Sequence, residues 1–176
     1  MIPTPKVDWL ALSPTLALLG VAAVTLLGAV LVPRVRVRVF SVAVSLVGFA
    51  TSAVLAAIVF DRSAQPESLI AESMTRDRLG AFAALLIALV GLAVVLLSAG
   101  DGRRGHVGEY YALLATASAG MVFFVTAANL MTLFLALEWF SISLYILCAL
   151  DTHRRESLES GLKYLIAENP SSPVAP

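Results

Sequence analysis

Charge is scarce in this sequence. Only 14% of its 176 residues are Asp, Glu, Lys or Arg, against 59% hydrophobic, whereas a soluble domain is about a quarter charged. Too few polar side chains remain to cover a surface in water, and the apolar residues gather into long runs. That combination reads as an integral membrane protein whose surroundings are lipid bilayer. Twelve basic and twelve acidic residues cancel, so no basic face exists to recruit nucleic acid, which is excluded as a partner. A single cysteine, Cys148, rules out an intrachain disulfide. The two histidines, His106 and His153, stand apart beside arginines, without the neighbours at ligand spacing that a metal centre requires. No glycine-rich phosphate loop, CxxC pair or Ser-His-Asp set occurs, so the chain carries no recognisable motif for flavin, haem or an iron–sulfur cluster.

Five apolar runs are present instead, at 10–32, 39–60, 79–97, 109–126 and 130–150. Each has roughly the 20 residues needed to cross about 30 Å of hydrocarbon as a helix. The first is too long for the apolar core of a signal peptide, and Asp8 offsets Lys6 before it, so it is expected to be a retained span. Ala127, Ala128 and Asn129 alone separate the last two, which makes a tight hairpin.

Orientation is read from arginine and lysine in the short connections. The first connection carries Arg34, Arg36 and Arg38 with no acid. The third carries Arg103, Arg104 and His106 against Asp101 and Glu109, and the fifth carries Arg154, Arg155 and Lys163. The second is mixed and the fourth has no charge. The expected fold class is therefore an all-α integral membrane protein with five transmembrane helices plus an incomplete sixth, its N-terminus outside and its C-terminus cytoplasmic. The long second connection, about 61–78, contains Leu69, Ile70 and Met74, which suggest a short strand or hairpin on the outer surface. SLESGLKYLIA, residues 157–167, begins an amphipathic helix, but Pro170, Pro173 and Pro176 cannot continue it. Residues 166–176 read as an aberrant proline-rich tail on an interrupted sixth span.

Within the fifth run, LFLALEWFSISLY places one carboxylate, Glu138, near the middle of the bilayer. An ionised acid there costs about 2.5–3.5 kcal/mol on insertion scales. Desolvation also disfavours its charged form. The cost falls if the group faces protein or water. Ser141 and Tyr145 follow at i+3 and i+7, giving its stripe two hydroxyls. Leu135, Phe140 and Leu144 are expected on the opposite surface. The bland reading is a protonated glutamate making an interhelical hydrogen bond; the functional one is a carboxylate that carries a proton or forms a switchable ion pair. No lysine, arginine or histidine lies inside any of the five runs, so a counter-charge must come from elsewhere. Glu159 and Lys163 form an i, i+4 pair, with Glu156 one turn earlier, where a sixth helix meets the membrane. Ordinary helix support explains that spacing equally well.

The stretch GEYYALLATASAGMVFFVTAANLMTLFLALEWFSISLYILCAL, followed by RRESLESGLKY, resembles the antiporter-like membrane subunits of bacterial NADH:quinone oxidoreductase, respiratory complex I. Leu137 immediately before Glu138, where related branches usually have tryptophan, and the Ser157–Tyr164 run bring it nearest the subunit N branch. The likeness is most specific over 109–165; residues 1–108 match in topology and in SMTRDRLGAF. The resemblance implies lead-in helices 1–3 over 1–108, and over 109–165 the start of a proton-translocating domain. It implies that Glu138 pairs with a lysine on a later helix in a proton pathway, with Ser141 and Tyr145 beside it. It also implies that Glu159 and Lys163 belong to a coupling region at the start of the sixth helix. No cofactor is expected on this chain; FMN, iron–sulfur clusters and quinone would sit with other subunits. Partners would be the other membrane subunits of complex I, in the plasma (inner) membrane of a bacterium. The alternatives are an Mrp-type cation/proton antiporter subunit and a non-transporting, truncated membrane scaffold.

Overall fold

A computed structural model describes residues 8–63, 67–69, 73–100, 106–150 and 155–168. In chain order it has helix α1 (Trp9–Leu31), helix α2 (Arg34–Arg62), strands β1 (Glu67–Leu69) and β2 (Met74–Arg76), then helices α3 (Arg78–Ala99), α4 (Val107–Val125), α5 (Leu130–Cys148) and α6 (Arg155–Glu168). The first five helices are long and apolar enough to cross a membrane. The arginines at 103, 104 and 154, His153, Ile70 and the tail beyond 168 lie outside the described residues.

Three of the five spans, α1, α3 and α5, start where a short polar side chain takes up a backbone N–H that the first turn leaves unpaired. Asp8 accepts from Leu10 N at 2.9 Å, Asp77 from Gly80 N at 2.9 Å, and Asn129 from Thr132 N at 2.8 Å. Pro14, inside α1, has no N–H to give the carbonyl four residues back. Ser13 Oγ donates to that carbonyl, Leu10 O, at 2.7 Å. Ser52 Oγ on α2 donates to Pro14 O at 3.1 Å, tying the two helices together at the irregularity.

The first basic connection differs from expectation. Its arginines are helical rather than in a loop, because α2 begins at Arg34 behind Pro33, a residue whose fixed φ suits a helix start. At 29 residues, α2 is about 43 Å long at 1.5 Å per residue, more than the hydrocarbon layer. Its extra turns carry guanidinium groups beyond the apolar zone, and Arg38 Nη2 donates to Ala99 O at 2.9 Å, closing the end of α3.

Helices α1 to α4 pack on one another around small and medium side chains: Leu18, Phe49, Ala56, Ala88, Val95 and Ala115 are buried. Small residues permit the close approaches that drive packing where lipid is as apolar as the core. At Gly91 an added Cβ would sit 2.1 Å from the Phe49 ring. The outer faces are apolar as well, with Val30, Leu97, Leu26 and Val90 exposed, an arrangement suited to acyl chains rather than water. Helix α5 lies against α4, and α6 against the C-terminal end of α5.

The long second connection contains the expected hairpin. β1 and β2 are antiparallel, with Ser68 opposite Thr75 and Leu69 opposite Met74. The α4–α5 turn continues this small sheet: Thr75 N donates to Thr126 O and Ala128 N to Ser73 O, each at 2.9 Å, and Met74 bridges to Ala127. Arg76 forms an ion pair with Asp8 at 2.5 Å, joining the hairpin to the start of α1. Alternation of the five spans places the second and fourth connections at this end of the bundle. The first, third and fifth share the other end, where the described arginines Arg36 and Arg38 lie.

Candidate functional site

Helix α5 carries the carboxylate in question. Glu138 is eight residues from the start of the helix and ten from its end, about 12 Å and 15 Å along the axis. It therefore stands near the middle of a bilayer-spanning segment, as expected.

Contacts with α4 decide which way it faces. Phe140 packs edge-on to Phe124 with ring centroids 5.8 Å apart, and Trp139 meets Phe123 at 6.0 Å. Gly120 lets the helices touch: a Cβ there would lie 3.0 Å from Phe140 N and Cβ. At about 100° per residue, Phe140, Ala136 and Ser143 lie roughly 140–160° around the helix from Glu138. Ala136 is fully buried and Ser143 is 4% exposed. Met131, Phe134, Leu135 and Ile142 fall within about 60° of Glu138, and all four are exposed. Glu138 itself is half-buried. Phe140 is opposite the acid, as expected, and fills the α4 interface. One sequence expectation is corrected: Leu135 is not opposite the acid but on its own side.

The two expected hydroxyl neighbours separate. Ser141, one turn on, is 4% exposed and lies toward the protein. Tyr145, two turns on, stacks edge-on against Tyr164 of α6 at 5.1 Å. Ser157 Oγ donates to Cys148 O at 2.7 Å, and Gly161 lets α6 approach Ala149 closely, so α6 is fastened to the end of α5. Glu159 and Lys163 do pair, at 2.7 Å, on the outer side of α6 with 61% and 74% of their side chains exposed. The hydrogen bond and charge of Lys163 hold the Glu159 carboxyl below its ordinary range. Their partnership is with each other. Among the described residues Glu138 makes no hydrogen bond or ion pair.

Sequence reading did not anticipate Phe123, Phe124 and Gly120 as the surface that orients α5; the available signal was a glycine and an aromatic pair on α4 opposite an aromatic pair on α5. His106 Nδ1 lies 3.6 Å from Glu109 at the start of α4, and among the described residues no cluster of three His, Cys, Asp or Glu could hold a metal ion.

Residues 127–174, which include all of α5 and α6, match the transmembrane domain family described as NADH:quinone oxidoreductase/Mrp antiporter. The chain is 35% identical over 188 residues to NADH-quinone oxidoreductase subunit N of Salinispora arenicola, covering 92% of this chain and 36% of that protein. It is 32% identical over 170 residues to subunit N 2 of Roseiflexus castenholzii, covering 94% of the chain and 33% of the relative. Against subunit N of Geotalea uraniireducens it is 41% identical over 87 residues, 48% of the chain and 19% of the relative. The chain spans about a third of the length of the first two relatives. With five apolar spans in the fold and this agreement along nearly its whole length, the chain is similar to membrane proteins named NADH-quinone oxidoreductase subunit N, and its residues 127–174 match the NADH:quinone oxidoreductase/Mrp antiporter transmembrane family.

Proposed function

We propose that this chain contributes part of a proton pathway in a proton-translocating NADH:quinone oxidoreductase. Glu138 is the carboxylate that exchanges its proton against a counter-charge. One observation supports this most directly: a half-buried acid at mid-span, turned away from α4, with no partner among the described residues. Such a group is costly unless a cation or water reaches it, and a cation within about 4–6 Å would favour its charged form. The family resemblance assigns that role to a lysine on a later helix. Withdrawal of the cation would let Glu138 take up a proton, and its return would release it. Ser141 and Tyr145 follow the acid one and two turns along α5, and the Glu159–Lys163 pair belongs to the coupling region one helix further on.

In this reading the basic end of the bundle faces the cytoplasm and the hairpin end faces outward, across a bacterial inner membrane. The partners are the other membrane subunits, and the redox groups (FMN, iron–sulfur clusters and quinone) are held elsewhere in the complex. Leu137 and the Ser157–Tyr164 run, with three relatives all named as subunit N, favour this over an Mrp-type antiporter.

The test is glutamine at the matched glutamate in a full-length relative, assayed as proton uptake into vesicles alongside NADH oxidation. A fall in pumping per NADH supports the proposal. Pumping that stays intact would leave a scaffold role in which the acid is only a buried hydrogen-bonder.

A further inference from the structure

We infer that the basic end of the α1–α4 bundle contains an internal water-binding site centred on Ser41 and Ser45, independent of Glu138. Both side chains are fully buried, one turn apart on α2. Hydroxyls elsewhere in the spans donate to the carbonyl one turn back: Thr25 to Val21 O at 2.7 Å, Thr116 to Ala112 O at 2.8 Å, Ser118 to Leu114 O at 2.9 Å and Ser143 to Trp139 O at 3.1 Å. Ser41 and Ser45 have the same option, yet their Oγ atoms have no hydrogen-bond partner among the described residues. A buried hydroxyl left unpaired in an apolar interior is expensive, and a rotamer that forgoes a local bond is explained when another partner is available.

Packing brings further hydroxyls to the same level. Arg38 reaches Ala99 O, which sets the start of α2 beside the end of α3. The Phe40 ring lies against Gly28, and Gly108 against Ala29 and Thr25 O. Ser41, Thr25, Ser98 and Tyr111 are each within about one turn, or 5 Å of axial rise, of those contacts, and Ser45 lies one turn deeper. Thr25 and Tyr111 are buried. Ser98 Oγ donates to Val95 O at 3.1 Å, so its 3.1 Å bond with Tyr111 uses the phenol proton and leaves lone pairs on both oxygens. Water needs two to four polar partners to be held inside a protein. Ser41 and Ser45 supply protons, and Ser98 and Tyr111 supply acceptors.

Water-edited solid-state NMR of the full chain in lipid bilayers, with carbon-13 serine and alanine, tests the site directly. Magnetisation from water should reach Cβ of Ser41 and Ser45 at mixing times similar to those for exposed Ser160, while fully buried Ala88 receives little. In the double variant S41A/S45A the thermal midpoint should fall, because a bound water loses its donors. Build-up at Ser41 and Ser45 as slow as at Ala88, or a raised midpoint in the double variant, would overturn the inference. If the variant does not fold, the wild-type spectrum alone decides.

Discussion

Replacing Glu138 with leucine should make α5 insert more readily, and the size of the gain follows from where the side chain sits. A charged residue at the centre of a spanning helix costs about 2.5–3.5 kcal/mol, whereas leucine there contributes about −0.5 kcal/mol. The full exchange is thus roughly 3–4 kcal/mol. Glu138 is half-buried and near mid-span, which lowers the expected gain to about 2–3 kcal/mol, or ~30- to 150-fold in the insertion equilibrium. No stabilising partner among the described residues is lost in exchange. Insertion of α5 can be read from glycosylation acceptor sites placed on either side of it, in a background where a few of its leucines are changed to alanine so that wild-type insertion is near half. Glu138→Leu should drive insertion to completion, and Glu138→Gln should do so partially. Equal insertion for wild type and Glu138→Leu would refute the reasoning, since the glutamate would then already be compensated within this chain.

Gly120→Val should push α5 from α4, because the new Cβ starts 3.0 Å from the Phe140 backbone; a loss of about 1–3 kcal/mol is expected in thermal melts in detergent, with weaker cysteine cross-linking across the pair. The Asp8–Arg76 ion pair is partly covered, with 24% and 19% of the side chains exposed, so a double-mutant cycle with Asp8→Asn and Arg76→Gln should give a coupling of about 0.5–1 kcal/mol that shrinks in high salt. Glu159 should titrate below its ordinary value of 4.5 because of Lys163, and Lys163→Gln should move it back up, as read by NMR of the side-chain carbon. Since the folded value is the depressed one, the support this pair lends α6 is present above the unfolded carboxyl's value. It is lost as pH falls through the folded value.

The spans were readable because a helix satisfies its own backbone, so length and apolarity along the chain suffice to identify it. The five runs reappear as helices with ends shifted by a few residues, and the hairpin suggested by Leu69 and Met74 is present. The arginine stretch was misplaced as a loop because nothing local marks where a helix leaves the hydrocarbon and continues in the headgroups. The direction of Glu138 was harder to read. In a soluble protein the polar face of a helix points outward, but here both faces are apolar, and Leu135 and Phe140 look alike in sequence although one is exposed and the other packs on α4.

The order of residues by itself determined the solvent, the number of spans and the presence of one acid at mid-depth, because each depends on composition within a window of about 20 residues. Tertiary structure alone decided which side of α5 that acid occupies, and that β2 pairs with the α4–α5 turn. These depend on glycines and aromatic rings meeting across helices, as Gly120 meets Phe140, and such short-range contacts between distant segments leave no periodic mark along the chain.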